Sequence, residues 1–389
     1  MAELSGEEEL SLAGGQGHKQ DKAMMNATTL HLSVNQFTEK ETPLVEWGEL
    51  SASVFRFASG VCALRLQNAR GELIALPFQG QQIWDATLDG RRLTMKSMFD
   101  QPYPTRDFLA TYGGFLLHCG ATAMGAPGPE DHHPLHGELP NAPYQAAHVI
   151  LGEDKHGQYI GLSGTYRHTV AFNTNYVAQS VIKFYAGSTQ FVVSMTITNL
   201  KQSDMPLMYL AHINFLPVDH GRLLYSARCD ADHMRVRADV PDFMQVAPGY
   251  REFVRELSQH PEKHLVLKPG LVFDPEVVFL IDYLADAQGW AHALQIHPGG
   301  RADVVRHRPD QLNYGVRWIC RTADQQALGF EPATAGVSGF TAEKQQSRVR
   351  TLGAGETFHC EIEIGTLTAA EAEQEAARVR FIVDAAERH

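Results

Sequence analysis

Membrane spans, secretion signals, disulfide frameworks and phosphate cradles are all missing from this 389-residue chain, and each absence narrows the reading. No apolar run approaches the roughly 18 residues that cross a bilayer. The first 22 residues are acidic and Gly-rich, without the apolar core of a signal peptide. Five cysteines (Cys62, Cys119, Cys229, Cys320 and Cys360) are scattered with no Cys-x-x-Cys pair. An odd, widely spaced set suits reduced thiols acting as small buried hydrophobes, and hence a cytoplasmic setting. Basic residues are in deficit, 33 against 45 acidic, for a net charge of −12. That balance argues against nucleic acid or an anionic membrane as partner and leaves neutral small molecules open. No Gly-rich or Arg-rich segment suited to phosphate is present.

What is present reads as sheet. From Thr28 onward, short segments alternate apolar and polar residues between Gly and Asn turns, as in Val54–Phe57, Val61–Leu66 and Leu73–Phe78. Ala186-Gly187-Ser188-Thr189 is a hairpin turn between Val177–Tyr185 and Phe191–Leu200. A strand follows at Met208–Phe215, then an irregular stretch with a short helix between Gly249 and His260. Strands resume at 277–284, 291–297, 314–321 and 326–330, and Thr357–Gly365 closes the series. Only the end is plainly helical, with Thr368-Ala369-Ala370-Glu371 as a capping box and Ala/Glu/Arg-rich sequence to Glu387. The expected architecture is all-β, a large antiparallel β-sandwich with a C-terminal helix. Residues 1–27 are expected to be a flexible tail, with Met24 or Met25 as alternative starts, and 28–389 a single domain.

Chemistry concentrates in four places. The loop Glu130–Tyr144 packs His132, His133, His136, Glu130, Asp131 and Glu138 among Pro134, Pro140 and Pro143, which forbid a helix. His212 sits mid-strand with Leu210 and Asn214 on its face, either a satisfied core group or an acid–base catalyst. Glu331 stands where an apolar strand meets Pro332, and so is expected at a sheet edge or mouth, as a salt-bridged carboxylate or a general base. His118 follows Phe115-Leu116-Leu117, and in the strand near 314–318 Trp318 offers a ring face and Arg317 or Tyr314 a hydrogen bond.

In order and spacing these motifs resemble the galactose mutarotase (aldose 1-epimerase) superfamily, in a less characterised branch. The resemblance rests on Leu135-His136-Gly137, on Thr198-Asn199-Leu200 followed by His212, on Phe330-Glu331-Pro332 and on Leu352-Gly353-Ala354-Gly355-Glu356. It covers roughly residues 50–367. It implies the galactose mutarotase-like supersandwich and interconversion of sugar anomers without metal or other cofactor. Glu331 would take the anomeric hydroxyl proton, His212 would protonate the ring oxygen, and His136 would assist from the loop. His118, Glu138, Asn214, Arg317 and Trp318 are the expected substrate contacts for a monosaccharide, and a homodimer stays open. One departure concerns the Gly-Arg-x-x-Asn-Arg segment typical of the superfamily ahead of the loop. Here the region reads Tyr112-Gly113-Gly114-Phe115-Leu116-Leu117-His118, leaving His118 as the candidate substitute.

Two other classes compete. A metal-dependent, cupin-like sugar isomerase would use His133, His136 and Glu138 as ligands. A non-catalytic carbohydrate-binding protein would keep the cleft and an aromatic platform without the acid–base pair.

Overall fold

Period-two alternation runs through nearly every strand, and it sorts side chains into three layers. The computed structural model describes residues 27–238 and 244–388. The tail expected over residues 1–27, with Met24 and Met25, lies outside the described residues apart from Ala27. Two antiparallel sheets face each other, one of nine strands and one of thirteen. Between them sits the main core, with Phe184, Val193, Ile362 and Ile364 from the first sheet meeting Leu116, Ile213, Phe215, Leu328 and Phe330 from the second. Inner faces this apolar, burying whole rows of aliphatic and aromatic side chains, are what hold a sandwich together.

The outer faces are covered differently. On the nine-stranded sheet the C-terminal helix Ala369–Ala386 lays Ala372, Ala376 and Val379 on Leu294, Val304 and Leu367. Thr368 and Glu371 form the capping box expected from sequence. On the thirteen-stranded sheet a second apolar layer includes Met95, Phe108, Leu117, Met208, Leu210, Val278 and Val316. Five successive strands of that sheet carry the site: Val277–Ile281, Tyr314–Arg321, Gln326–Ala333, Met205–Phe215 and Leu116–Ala121.

The 186–189 hairpin turn, the helix Tyr250–Gln259 and the all-β architecture match expectation. One boundary differs. The late strand does not stop at Pro332 but runs to Ala333, with Pro332 paired to Gly315. Glu331 therefore lies within a sheet, between two neighbouring strands, rather than at an edge. Among the described residues no helix is long and apolar enough to cross a membrane.

Candidate active site

Strand register brings the two central residues together. Leu210 pairs with Ala333 and Ile213 with Phe330, so the same antiparallel register sets His212 opposite Glu331 on adjoining strands. Both point to the outer face, because Ala211, Ile213 and Phe330 take the inner one. His212 Nδ1 lies 3.1 Å from Glu331 Oε1, with both side chains almost wholly buried.

Asn214, two residues along and on the same face, fixes the imidazole. Its Nδ2 donates to Gly114 O at 3.0 Å, which turns Oδ1 toward the ring. His212 Nδ1 then donates to that Oδ1 at 2.7 Å. Nε2 is left to exchange a proton, with the Tyr112 hydroxyl 3.3 Å away. Although Glu331 Oε1 is within ion-pair distance of Nδ1, it has no hydrogen-bond partner among the described residues. The ring N–H is aimed at Asn214 instead.

Burial governs the charges. It pushes His212 down to about 4, although the hydrogen bond to Asn214 works the other way. It pushes Glu331 well above the usual carboxylate range; the positive charges of Arg317 and Arg237 oppose that rise and Glu276 adds to it. A stable ion pair would move both groups the opposite way, so desolvation outweighs their mutual attraction. Beyond the fixed Nδ1 proton, the pair thus shares one exchangeable proton, which rests on Glu331.

His136 reaches the same cleft from the loop. Its φ of +58° is rarely occupied by a residue with a side chain. The conformation is held by His136 N donating to Gly125 O at 3.0 Å and Gly120 N donating to His136 O at 2.9 Å. The next residue must be glycine, since a Cβ at Gly137 would stand 2.2 Å from Ala123 O. The ring packs 4.8 Å from Phe108 and 5.4 Å from His212, centroid to centroid. Its Nδ1 is buried without a partner among the described residues.

The cleft is partly open to solvent and has a free cavity volume of about 90 Å³. Phe108, Tyr112 and Trp318 form its aromatic walls. Beside them Glu276 accepts from Trp318 Nε1 at 2.7 Å and from Arg237 on its other oxygen.

Other sequence candidates go elsewhere. His118 points inward, hydrogen-bonded to the Tyr209 hydroxyl at 2.7 Å, and burial pushes it down to about 3. Arg317 also faces the inner core, its guanidinium 3.4 Å from the Phe330 ring centroid. Adjacent strand residues face opposite sides, so Arg317 and Trp318 cannot both line one cleft. Glu138 turns away to Thr122 N at 3.0 Å and the Tyr176 hydroxyl at 3.2 Å. His133 bonds Pro134 O at 2.8 Å, so His133, His136 and Glu138 do not converge. Among the described residues no group of three His, Cys, Asp or Glu side chains is arranged to hold a metal. Sequence reasoning missed Tyr112, Arg237 and Glu276. Only Glu276 left a trace, at the head of Val277–Ile281 in the phase that puts Val278 on the outer face.

Comparison with known proteins agrees with this architecture. Residues 58–366 match the family described as "Domain of unknown function (DUF4432)". The chain belongs to that family. Among solved structures it is similar to a protein from Klebsiella pneumoniae subsp. pneumoniae MGH 78578 provisionally named an aldose 1-epimerase. The TM-score is 0.76 at 16% identity, covering 92% of this chain and 96% of that one. It is also similar to a galactose mutarotase-like protein from Clostridium acetobutylicum, with TM-score 0.53, 14% identity and coverage of 85% and 98%. At such identities the likeness shows the fold, and this DUF4432 chain has the galactose mutarotase-like architecture. A search by sequence among curated proteins returns no match.

Proposed function

We propose that this DUF4432 protein interconverts the anomers of a neutral monosaccharide by general acid–base ring opening and closure. The observation that carries the reading is the cross-strand contact of His212 with Glu331 in an aromatic-walled cleft. In the working arrangement the shared proton sits on His212 Nε2 and Glu331 is ionised. Glu331 accepts the proton of the anomeric hydroxyl while Nε2 gives its proton to the ring oxygen. The C1–O5 bond breaks and C1=O1 forms. Rotation about C1–C2 presents the other carbonyl face. On closure O5 attacks C1, the O5 proton returns to His212, and Glu331 reprotonates O1. No net charge or proton is left behind.

Trp318, Tyr112 and Phe108 offer faces for the sugar C–H surface. Arg237 and Glu276 offer donors and acceptors for hydroxyl groups, and their opposite charges suit a neutral ligand better than a charged one. His136, with its unpartnered nitrogen, is placed to bond a sugar oxygen. The fold and its structural relatives support the reading. Polarimetry on a panel of freshly dissolved aldoses and ketoses tests it: acceleration over buffer is expected for at least one sugar, and none across the panel would sink it.

A further inference from the structure

Arg317 is a buried guanidinium with no carboxylate in ion-pair contact among the described residues. The Phe330 ring face and hydrogen bonds offset part of the cost of burying this charge, but the lack of an acid beside it calls for a reason. Its Nη1 donates to Gly329 O at 2.6 Å and its Nε to the Tyr225 hydroxyl at 3.1 Å. Gly329 is also where the Glu331 carboxylate lies. A Cβ at that glycine would stand 2.2 Å from Glu331 Oε1 and 3.1 Å from Cδ, so the missing side chain is the slot that the carboxylate occupies. One peptide of the strand is thus held by Arg317 on the inner side while Glu331 rests on its outer side.

We propose that Arg317 is a positioning residue for Glu331: it pins the Gly329 slot from behind the sheet and supplies the counter-charge to the ionised carboxylate. This deepens the reading of Glu331 as the acid–base residue and rests on it. The other titratable groups facing Glu331 are His212 across the strand pair, Tyr112 and Cys119, with Arg237 and Glu276 from the far wall. Of the two positive charges that favour the carboxylate, Arg237 is already engaged by Glu276. Among the described residues Arg317 bonds a carbonyl and a hydroxyl rather than an acid.

The test compares Arg317→Gln, which keeps a donor but loses the charge, with Arg317→Lys, which keeps the charge. The readouts are the pH–rate profile for anomer exchange and ¹³C NMR of the labelled Glu331 carboxyl, identified by its loss in Glu331→Gln. In Arg317→Gln the plateau rate should fall about tenfold, and both the alkaline limb and the carboxyl titration should move up by about one pH unit. Arg317→Lys should restore both toward wild type. Loss of rate with limb and titration unmoved, or a lysine variant no different from glutamine, would overturn the proposal. If the wild type exchanges no sugar, the functional reading fails while the carboxyl titration still decides the role of Arg317. Gly329→Ala leaves Arg317 in place and tests the slot separately, should the glutamine variant not fold. A fall in kcat of tenfold or more at little-changed KM is expected, and an unchanged kcat contradicts the slot.

Discussion

His212 Nδ1 stands 3.1 Å from Glu331 Oε1 yet donates its proton to Asn214 Oδ1 at 2.7 Å. The carboxylate and the imidazole are neighbours that burial keeps from settling as a fixed ion pair. Two buried groups sharing one mobile proton can hand it to a substrate and take it back.

That proton count predicts a pH profile. The pair acquires a second proton only as pH falls toward about 4, where His212 titrates, rather than near 6.5. It loses its last proton only well above the usual carboxylate range, since burial raises Glu331. Exchange rate should therefore hold through mildly acidic pH and fall on either side. An acid limb near 6.5 in kcat would contradict the assigned proton.

Asn214 holds the Nδ1 proton of His212, which in the proposed mechanism leaves Nε2 to act. Asn214→Ala removes the acceptor and lets the ring turn, so kcat is expected to fall by roughly 10–100-fold with KM changed little. Asn214→Asp should instead move the acid limb up, because a carboxylate against Nδ1 favours the protonated imidazole. Steady-state kinetics of both variants across pH checks this, and a pure KM effect would place Asn214 on the substrate.

Away from the cleft, the C-terminal helix is tied down by charge. Glu375 accepts from His292 Nδ1 at 2.7 Å and from Arg306. Burial would raise its carboxyl, but these two hydrogen bonds win and bring it to about 2. A depressed folded value stabilises above the unfolded range near 4.5, and that contribution is lost as pH falls from there toward 2. Glu375→Ala should cost about 2 kcal/mol at pH 7, short of the cost of an unpaired buried charge, because His292 keeps Asp286 and Arg306 keeps Glu363. Denaturant unfolding would show a smaller loss at pH 3 than at pH 7, and equal losses at both would refute the role.

Much of this was legible in the sequence, and the misses have physical causes. Period-two alternation gave the sheets, and it put His212, Asn214 and Leu210 on one face. The Thr368 capping box marked the final helix. Alternation could also have separated Arg317 from Trp318, whose adjacency in a strand sends them to opposite faces. His118 was harder, since an imidazole between Leu117 and Cys119 gives no sign of which face is the cleft. Tyr112, Arg237 and Glu276 converge only through tertiary packing, from segments over 35 residues apart in the chain, and no local spacing encodes that meeting. Pro332 looked like a strand end, but a proline is tolerated where its missing N–H is not called on.

The most direct test of the account is anomer exchange measured by saturation-transfer NMR on a sugar that the wild type turns over, repeated with Glu331→Gln and His212→Ala. The account predicts that each variant loses about 10²–10⁴-fold in exchange rate while still binding the sugar. Near-wild-type exchange in either one would contradict it.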